Sequence, residues 1–323
     1  MNLGVFLDVR NPPAWRRPWA GHYERTVELV VECERLGAAS AWVTEHHFFE
    51  DGYAPQPLTM QAGLATRTER LRLGTAVVLA ALRHPQHLAE EAAVVDLLSG
   101  GRLELGIGAG YRVPEYEAFG ADITRRYALT DAATAAVRDR LWGGELLPPP
   151  VQDRLPIWLG YQGPQGARRA GRLGVGLLAP RRELLAPYLE GLVEGGHDPA
   201  IARMGGVVEL IVADDPERTA AVIAPHYAHQ LDTYARSAVD GTGRTPPPGR
   251  DPAALAAAMV APGSAGLVVR TPDDAVTHLR SIAEGLPIEH LYLWGSIAGM
   301  PDPVVDQHVE LAFGTVAPQL VGA

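Results

Sequence analysis

The sequence predicts an α/β fold: a closed (β/α)8 TIM barrel with an insertion between its seventh strand and the following helix. Three observations carry this reading. Short apolar, β-rich runs alternate with helical patterns of roughly 10–17 residues, as βα units of a parallel sheet do. Eight such runs occur, which suits closure into a barrel better than an open doubly wound sheet. Polar residues gather at the ends of successive runs, with Glu45-His46-His47 after the second and His84 after the third. Active sites of such barrels are built at the carboxyl ends of their strands.

Residues 3–9 (LGVFLDV) read as the first strand, and 21–37 repeat apolar positions at helical spacing up to Gly37. ASAWVTEHH (39–47) is the second strand, followed by a short helix at 57–67. LRLGTAVVLA (71–80) is the third strand, and Pro85 opens a helix to about Leu98. RLELGIGAG (102–110) is the fourth strand; a polar loop and a helix over 125–142 follow. PIWLGY (156–161) and GVGLLAP (174–180) are strands five and six, with helices over 164–173 and 182–195. GVVELIVAD (206–214) is strand seven, LYLWGS (291–296) strand eight, and 303–320 the closing helix. Residues 215–268 do not fit one βα unit. They hold two helix-like stretches around DGTGRTPPPGRDP (240–252), a proline- and glycine-rich loop or mobile lid. The expected organisation is one domain over 1–323 with that insertion.

Composition limits the function. With 28 Lys and Arg against 38 Asp and Glu, the net charge is −10, which argues against nucleic-acid binding. No apolar run reaches the roughly 18 residues that a membrane span needs. The start, MNLGVFLDVR, lacks the features of a signal peptide, so the expected compartment is the cytoplasm. The single Cys33 excludes an intramolecular disulfide and reads as a packed core thiol.

His46 and His47 are adjacent on a strand and so point to opposite faces; one of them can face the barrel mouth. With His84 they are the candidate catalytic residues, as bases or hydrogen-bond partners. Their spacing matches no HxH or HExxH pattern, so no metal is expected. GIGAGY (106–111) is not a dinucleotide fingerprint: its glycines run GxGxG, and Pro114 rather than a helix start follows. It reads instead as a strand end where backbone approaches a ligand. Glu115 and Tyr116 either shape the substrate entrance or belong to an ordinary surface loop. Phe6, Trp42, Trp158 and Trp294 lie on strands; those near strand ends would wall an organic substrate.

The succession EHHF (45–48), GTAVVL (74–79), RHP (83–85), GGRLELGIGAG (100–110) and EYEAFG (115–120) resembles the luciferase-like flavin-dependent monooxygenases. Weaker echoes at 156–174 and 270–295 extend the likeness over most of the chain. The resemblance implies that His46 lies beside a flavin, and that a cis peptide falls at Ala76–Val77, next to Thr75 and under the flavin ring. It also marks two departures. The luciferases have a reactive Cys where Gly108 stands and a phosphate-binding Arg where Ala109 stands, so light emission from an aldehyde is not expected and the phosphate must be held elsewhere. The turn Tyr161-Gln162-Gly163 and the helix start after it would supply backbone N–H groups, with Arg126 or Arg125 as the charge partner. Phe6, Glu115 and Trp294 are the candidate substrate residues.

The implied activity is a monooxygenase that uses reduced FMN and O2, through a C4a-peroxyflavin, on a small organic substrate. A separate flavin reductase would supply the reduced FMN, since no NAD(P)H fingerprint is present. The alternatives are an F420-dependent hydride-transfer enzyme and a non-catalytic flavin-binding subunit. A homodimer is expected from the resemblance alone.

Overall fold

The computed structural model describes residues 1–320. Its strands are β1 (Asn2–Leu7), β2 (Ser40–Val43), β3 (Arg72–Thr75), β4 (Val78–Leu79), β5 (Leu103–Gly108), β6 (Ile157–Leu159), β7 (Gly176–Leu177), β8 (Met204–Val208), β9 (Leu210–Val212), β10 (Val268–Arg270) and β11 (Ile288–Trp294). The main sheet runs β3-β2-β1-β11-β8-β7-β6-β5-β4, and an extra β3–β5 pairing at Leu73↔Leu103 closes it. Every pairing is parallel. Counting β3 and β4 as one broken stave, the barrel has the eight staves the sequence predicts, with helices around them.

Two predicted strands divide. The third run breaks between β3 and β4, where the Ala76–Val77 peptide is cis, as the resemblance implies. The seventh breaks at Glu209. Its continuation, β9, leaves the barrel to pair with β10, which ends the long excursion. That excursion comprises the helix Pro216–Ser237, an irregular stretch and the helix Pro252–Val260. The stretch at 113–118, expected as loop, is a short helix, Val113–Ala118, opened by Pro114 in its first turn. The closing helix is not regular: it passes through a π segment at Glu310–Val316.

The lower barrel is filled by two buried tryptophans packed over glycines of the neighbouring strand. Trp42 pairs in register with Gly74, and Trp158 with Gly176. A Cβ at Gly74 or Gly176 would fall 2.2 or 2.3 Å from the indole. The missing side chain is therefore what makes room for the ring. Trp42 also stacks on Tyr292 at 4.8 Å. Outside the staves, helix Trp19–Leu36 buries Leu29, Val30 and Cys33 against the sheet. It ends at Gly37, whose φ of 106° lets its N–H reach the carbonyls of Cys33 and Glu34. No helix among the described residues is long and apolar enough to cross a membrane.

Candidate active site

Filling the barrel base with indoles leaves the carboxyl ends of the strands open. A cavity of about 470 Å3 lies there, within the range of small-molecule sites. Phe6 of β1, Trp294 of β11, the Ala76–Val77 link, Gly108 and Tyr161 contribute to its wall. Val9 and Phe48, just past β1 and β2, take positive φ values of 57° and 60°. Such backbone is uncommon for bulky side chains and gathers at ligand sites.

His46 lines this cavity and His47 does not. The His46 ring bonds through Nδ1 to Glu115 Oε1 at 3.0 Å, and the same oxygen accepts the His47 N–H at 2.8 Å. A carboxylate only accepts, so Nδ1 is the donor of this bond, and Nε2 makes no hydrogen bond among the described residues. Glu115 itself is fully buried, because the helix Val113–Ala118 turns it inward. This corrects the expectation of a rim or surface residue: Glu115 reaches the cavity only through His46. His47 turns the other way, to Glu45 Oε1 at 3.0 Å. That carboxylate also takes Arg83 Nη2 at 2.9 Å and the Leu79 N–H at 2.9 Å, which ties β2 to β4. His84 is exposed outside the cavity and caps the helix Pro85–Ser99, accepting the Gln86 N–H at 3.2 Å. Of the three histidines, the structure thus brings only His46 to the mouth.

The predicted cofactor residues separate in the same way. Ala76, Val77, Gly108, Ala109, Tyr161 and Gln162 line the cavity. Thr75 is buried behind them and joins β3 to β5, donating to the Gly106 carbonyl at 2.8 Å and accepting the Gly106 N–H at 2.9 Å. The glycines of GIGAG answer to a neighbouring strand rather than to a ligand alone. A Cβ at Gly108 would lie 2.2 Å from Val77 Cγ2, and one at Gly160 2.6 Å from Val77 Cγ1. The Val77 side chain occupies the space that a side chain at position 108 would take.

At the far wall, Gly163 (φ 81°) opens the helix Pro164–Leu173 with no side-chain cap. Its first N–H groups are therefore available to an anion. Arg168 and Arg172 are matched to Glu194, and Arg169 to Asp131. Arg126 has no carboxylate partner among the described residues. It lies 4.5 Å over the ring of Tyr127, a cavity residue. Uncapped N–H groups and one unmatched cation are a donor set that fits the phosphate of a flavin nucleotide.

Sequence reasoning missed a buried cluster beside the cavity. Arg10 is 2% exposed, with Asp8 and Asp51 each at 3.2 Å. Its guanidinium lies 4.6 Å over the ring of Tyr53 and 4.5 Å over that of Tyr234, both cavity residues. His229 Nε2 bonds Asp51 at 3.0 Å. Asp8 and Arg10 closely follow β1, so their place at a strand end was a usable signal, whereas Tyr53 lies ten residues beyond β2. Tyr234 and His229 come from the insertion helix, whose docking no local pattern reveals.

The two carboxyls of this cluster respond differently. Burial raises Asp8 to about 6 despite Arg10, whereas the bonds from His229 and Arg10 overcome burial and lower Asp51. An acid raised in the folded state binds more protons there than when unfolded. Its contribution to stability is therefore full at low pH and declines as pH rises from about 4 to about 6. Asp8→Asn removes that term. Unfolding free energies from urea titration are expected to shift in favour of the variant between pH 4.5 and 7.5, by on the order of 2 kcal/mol. A difference independent of pH would show that Asp8 ionises normally.

The sequence pattern of the luciferase-like monooxygenases matches residues 1–287. The barrel and its mouth cavity agree with that pattern. The oxygenase component of a flavin-dependent trigonelline monooxygenase from Acinetobacter baylyi is 42% identical over 95 residues, covering 29% of this chain and 26% of that protein. An F420-dependent glucose-6-phosphate dehydrogenase from Amycolatopsis mediterranei is 29% identical over 214 residues, covering 60% and 62%. The chain thus spans less than two thirds of each of these two relatives. The crystal structure of the monooxygenase RslO1 from Streptomyces bottropensis is similar over 99% of this chain and 100% of that one, with a TM-score of 0.78 and 25% identity. The chain belongs to the luciferase-like monooxygenase family.

Proposed function

We propose that the chain is a flavin-dependent monooxygenase acting on a small organic substrate with reduced FMN and O2. The observation that carries this reading is His46, oriented by Glu115, with Nε2 as the unpaired ring nitrogen of a residue on a cavity that Phe6, Tyr53, Tyr111 and Trp294 also line. When bound, reduced FMN supplies the electron pair that lets one oxygen atom enter the substrate while the other leaves as water. The chain's own residues bind, orient and exclude water. Ala76, Val77, Gly108 and Tyr161 would face the ring system. Gln162, Gly163 and the N–H groups of the following helix would hold the phosphate, with Arg126 as its cation. His46 Nε2 would take or return a proton at the reacting oxygen. Phe6 and Trp294 would wall the substrate. Residues 240–265 would close over the mouth, fastened by Arg112 to Asp240 at 3.0 Å. A separate reductase would supply reduced FMN; the trigonelline relative, named as an oxygenase component, supports that arrangement.

The F420-dependent relative favours a second reading, hydride transfer with F420. Against it, the arginines on the helix after Gly163 are already matched to carboxylates, which leaves little positive charge for an acidic cofactor tail. Anaerobic titration with photoreduced FMN and, separately, with reduced F420 decides between them. Saturable FMN binding, followed on aeration by a transient near about 370–390 nm from the flavin itself, is the expected result. Binding of F420 alone would replace this reading with hydride transfer, and binding of neither would leave the cofactor argument without support.

A further inference from the structure

The cavity wall holds a carboxylate that the proposed chemistry does not use. Glu209 stands at the break between β8 and β9, with Trp294 and Phe6 on the next two staves. Its carbonyl accepts the Val268 N–H at 2.8 Å, so the end of the insertion fixes where the residue sits. Of its two carboxylate oxygens, Oε2 accepts the Trp294 Nε1–H at 3.0 Å. Oε1 has no partner among the described residues and, unlike Glu115 Oε2, is not closed to water. No cation among the described residues faces it: burial pushes this carboxyl above the usual range, and only the Trp294 bond opposes that. Tyr227 also lies near, with its hydroxyl accepting the Leu267 N–H at 3.1 Å.

From this arrangement we infer that the substrate is a small organic amine, bound as its cation, whose ammonium group Glu209 receives. A carboxylate held out of water without a counter-charge is costly, and a cation brought by the ligand relieves that cost while its N–H donates to Oε1. Phe6 and Trp294 border the same place, in register on β1 and β11 with ring centroids 4.5 Å apart, and aromatic faces attract a cation too. A neutral alcohol would donate to Oε1 but leave the charge unbalanced, and an anion would be repelled. The other charges near the mouth have their own partners or places. Glu45 takes His47, Arg83 and the Leu79 N–H, and Glu115 takes His46 and lies 3.7 Å from Arg112. Asp8, Arg10, Asp51 and His229 answer one another and do not line the cavity. Arg126, over Tyr127, and Arg181, bonded to Gln162, belong to the wall assigned to the phosphate.

The inference rests on the proposed monooxygenase for its meaning as a substrate site, but its test does not involve a flavin. Calorimetry at neutral pH compares benzylamine, bound as benzylammonium, with benzyl alcohol, which has nearly the same shape and no charge. The quantity read is the ratio of their affinities. Wild type is expected to prefer benzylammonium by about 10-fold or more, as a hydrogen bond between charged groups should. In Glu209→Gln the ratio should fall to near one while benzyl alcohol still binds. Glu209→Asp, which keeps the charge but shortens its reach, should lower the ratio part of the way and serves if the glutamine variant does not fold. Asp8→Asn should leave the ratio unchanged, because Asp8 does not line the cavity. A wild-type ratio near one, no measurable binding of benzylammonium, a ratio unchanged in the Glu209 variants, or its loss in Asp8→Asn would overturn the assignment. Failure to bind reduced FMN would overturn the monooxygenase reading and leave this ratio as it is.

Discussion

Replacing His46 with alanine is expected to lower kcat/KM by about 10²–10⁴-fold, the usual contribution of a positioned acid or base. The dissociation constant for reduced FMN should stay within a few-fold of wild type. The split follows from the geometry: His46 stands with Tyr53 and Tyr111, whereas the flavin contacts proposed above lie on Ala76, Val77, Gly108 and Tyr161. Glu115→Gln should give a smaller loss. The glutamine oxygen can still accept from Nδ1, but without the charge that stabilises the protonated ring. His47→Ala serves as the contrast. Its partners are Glu45 and the aromatic rings of Phe48 and Phe119, so it should affect stability more than turnover. Undiminished turnover in the His46 variant would remove His46 from the mechanism.

The largest effect on folding is expected at Gly106. An alanine Cβ there would lie 1.9 Å from the Thr75 carbonyl oxygen and 2.9 Å from Leu178 Cδ1. The nearest atom is backbone of an adjacent stave, which cannot rotate away as a side-chain tip can. Relief requires β3 and β5 to part, and this breaks the two Thr75–Gly106 hydrogen bonds and loosens the closure of the barrel. The cost should be about 3 kcal/mol, the upper part of the range for overpacked cores, and the variant should be poorly soluble. Gly21→Ala is the control: it is helical and exposed, with nothing within 4 Å of the added carbon, and should be neutral or stabilising by up to about 1 kcal/mol. Equal urea midpoints for the two variants would show that the staves have slack at Gly106.

Periodicity decided much of this protein before any coordinates. Each of the eight strand runs lies on a barrel stave, because a run buried on both faces must be apolar and turns between runs need glycine and proline. The helix at 113–118 escaped, since six residues are too few to show a helical period, although Val113-Pro114 carried a start signal. The split at Glu209 escaped because strand pairing, not composition, decides that β9 leaves the barrel for β10.

The site was legible where chemistry sits at a strand end: His46, Gly108, Tyr161, Phe6 and Trp294 all reach the cavity. Spacing alone could not say which way a side chain turns. The alternation of a strand announced that His46 and His47 face apart, and only the buried Glu115 and Glu45 fixed which one meets the cavity. His84 looked equivalent to them, yet the helix after it uses its ring as a cap. Tyr234 and His229 lie far from β1 and β2 in the chain and meet Tyr53 and Asp51 only when the insertion folds across the mouth. The sequence by itself determined the barrel and the strand ends that bear its chemistry, since these follow from local patterns of burial. Tertiary structure alone decided which polar groups meet, because those contacts join segments up to 181 residues apart and depend on packing that no local pattern encodes.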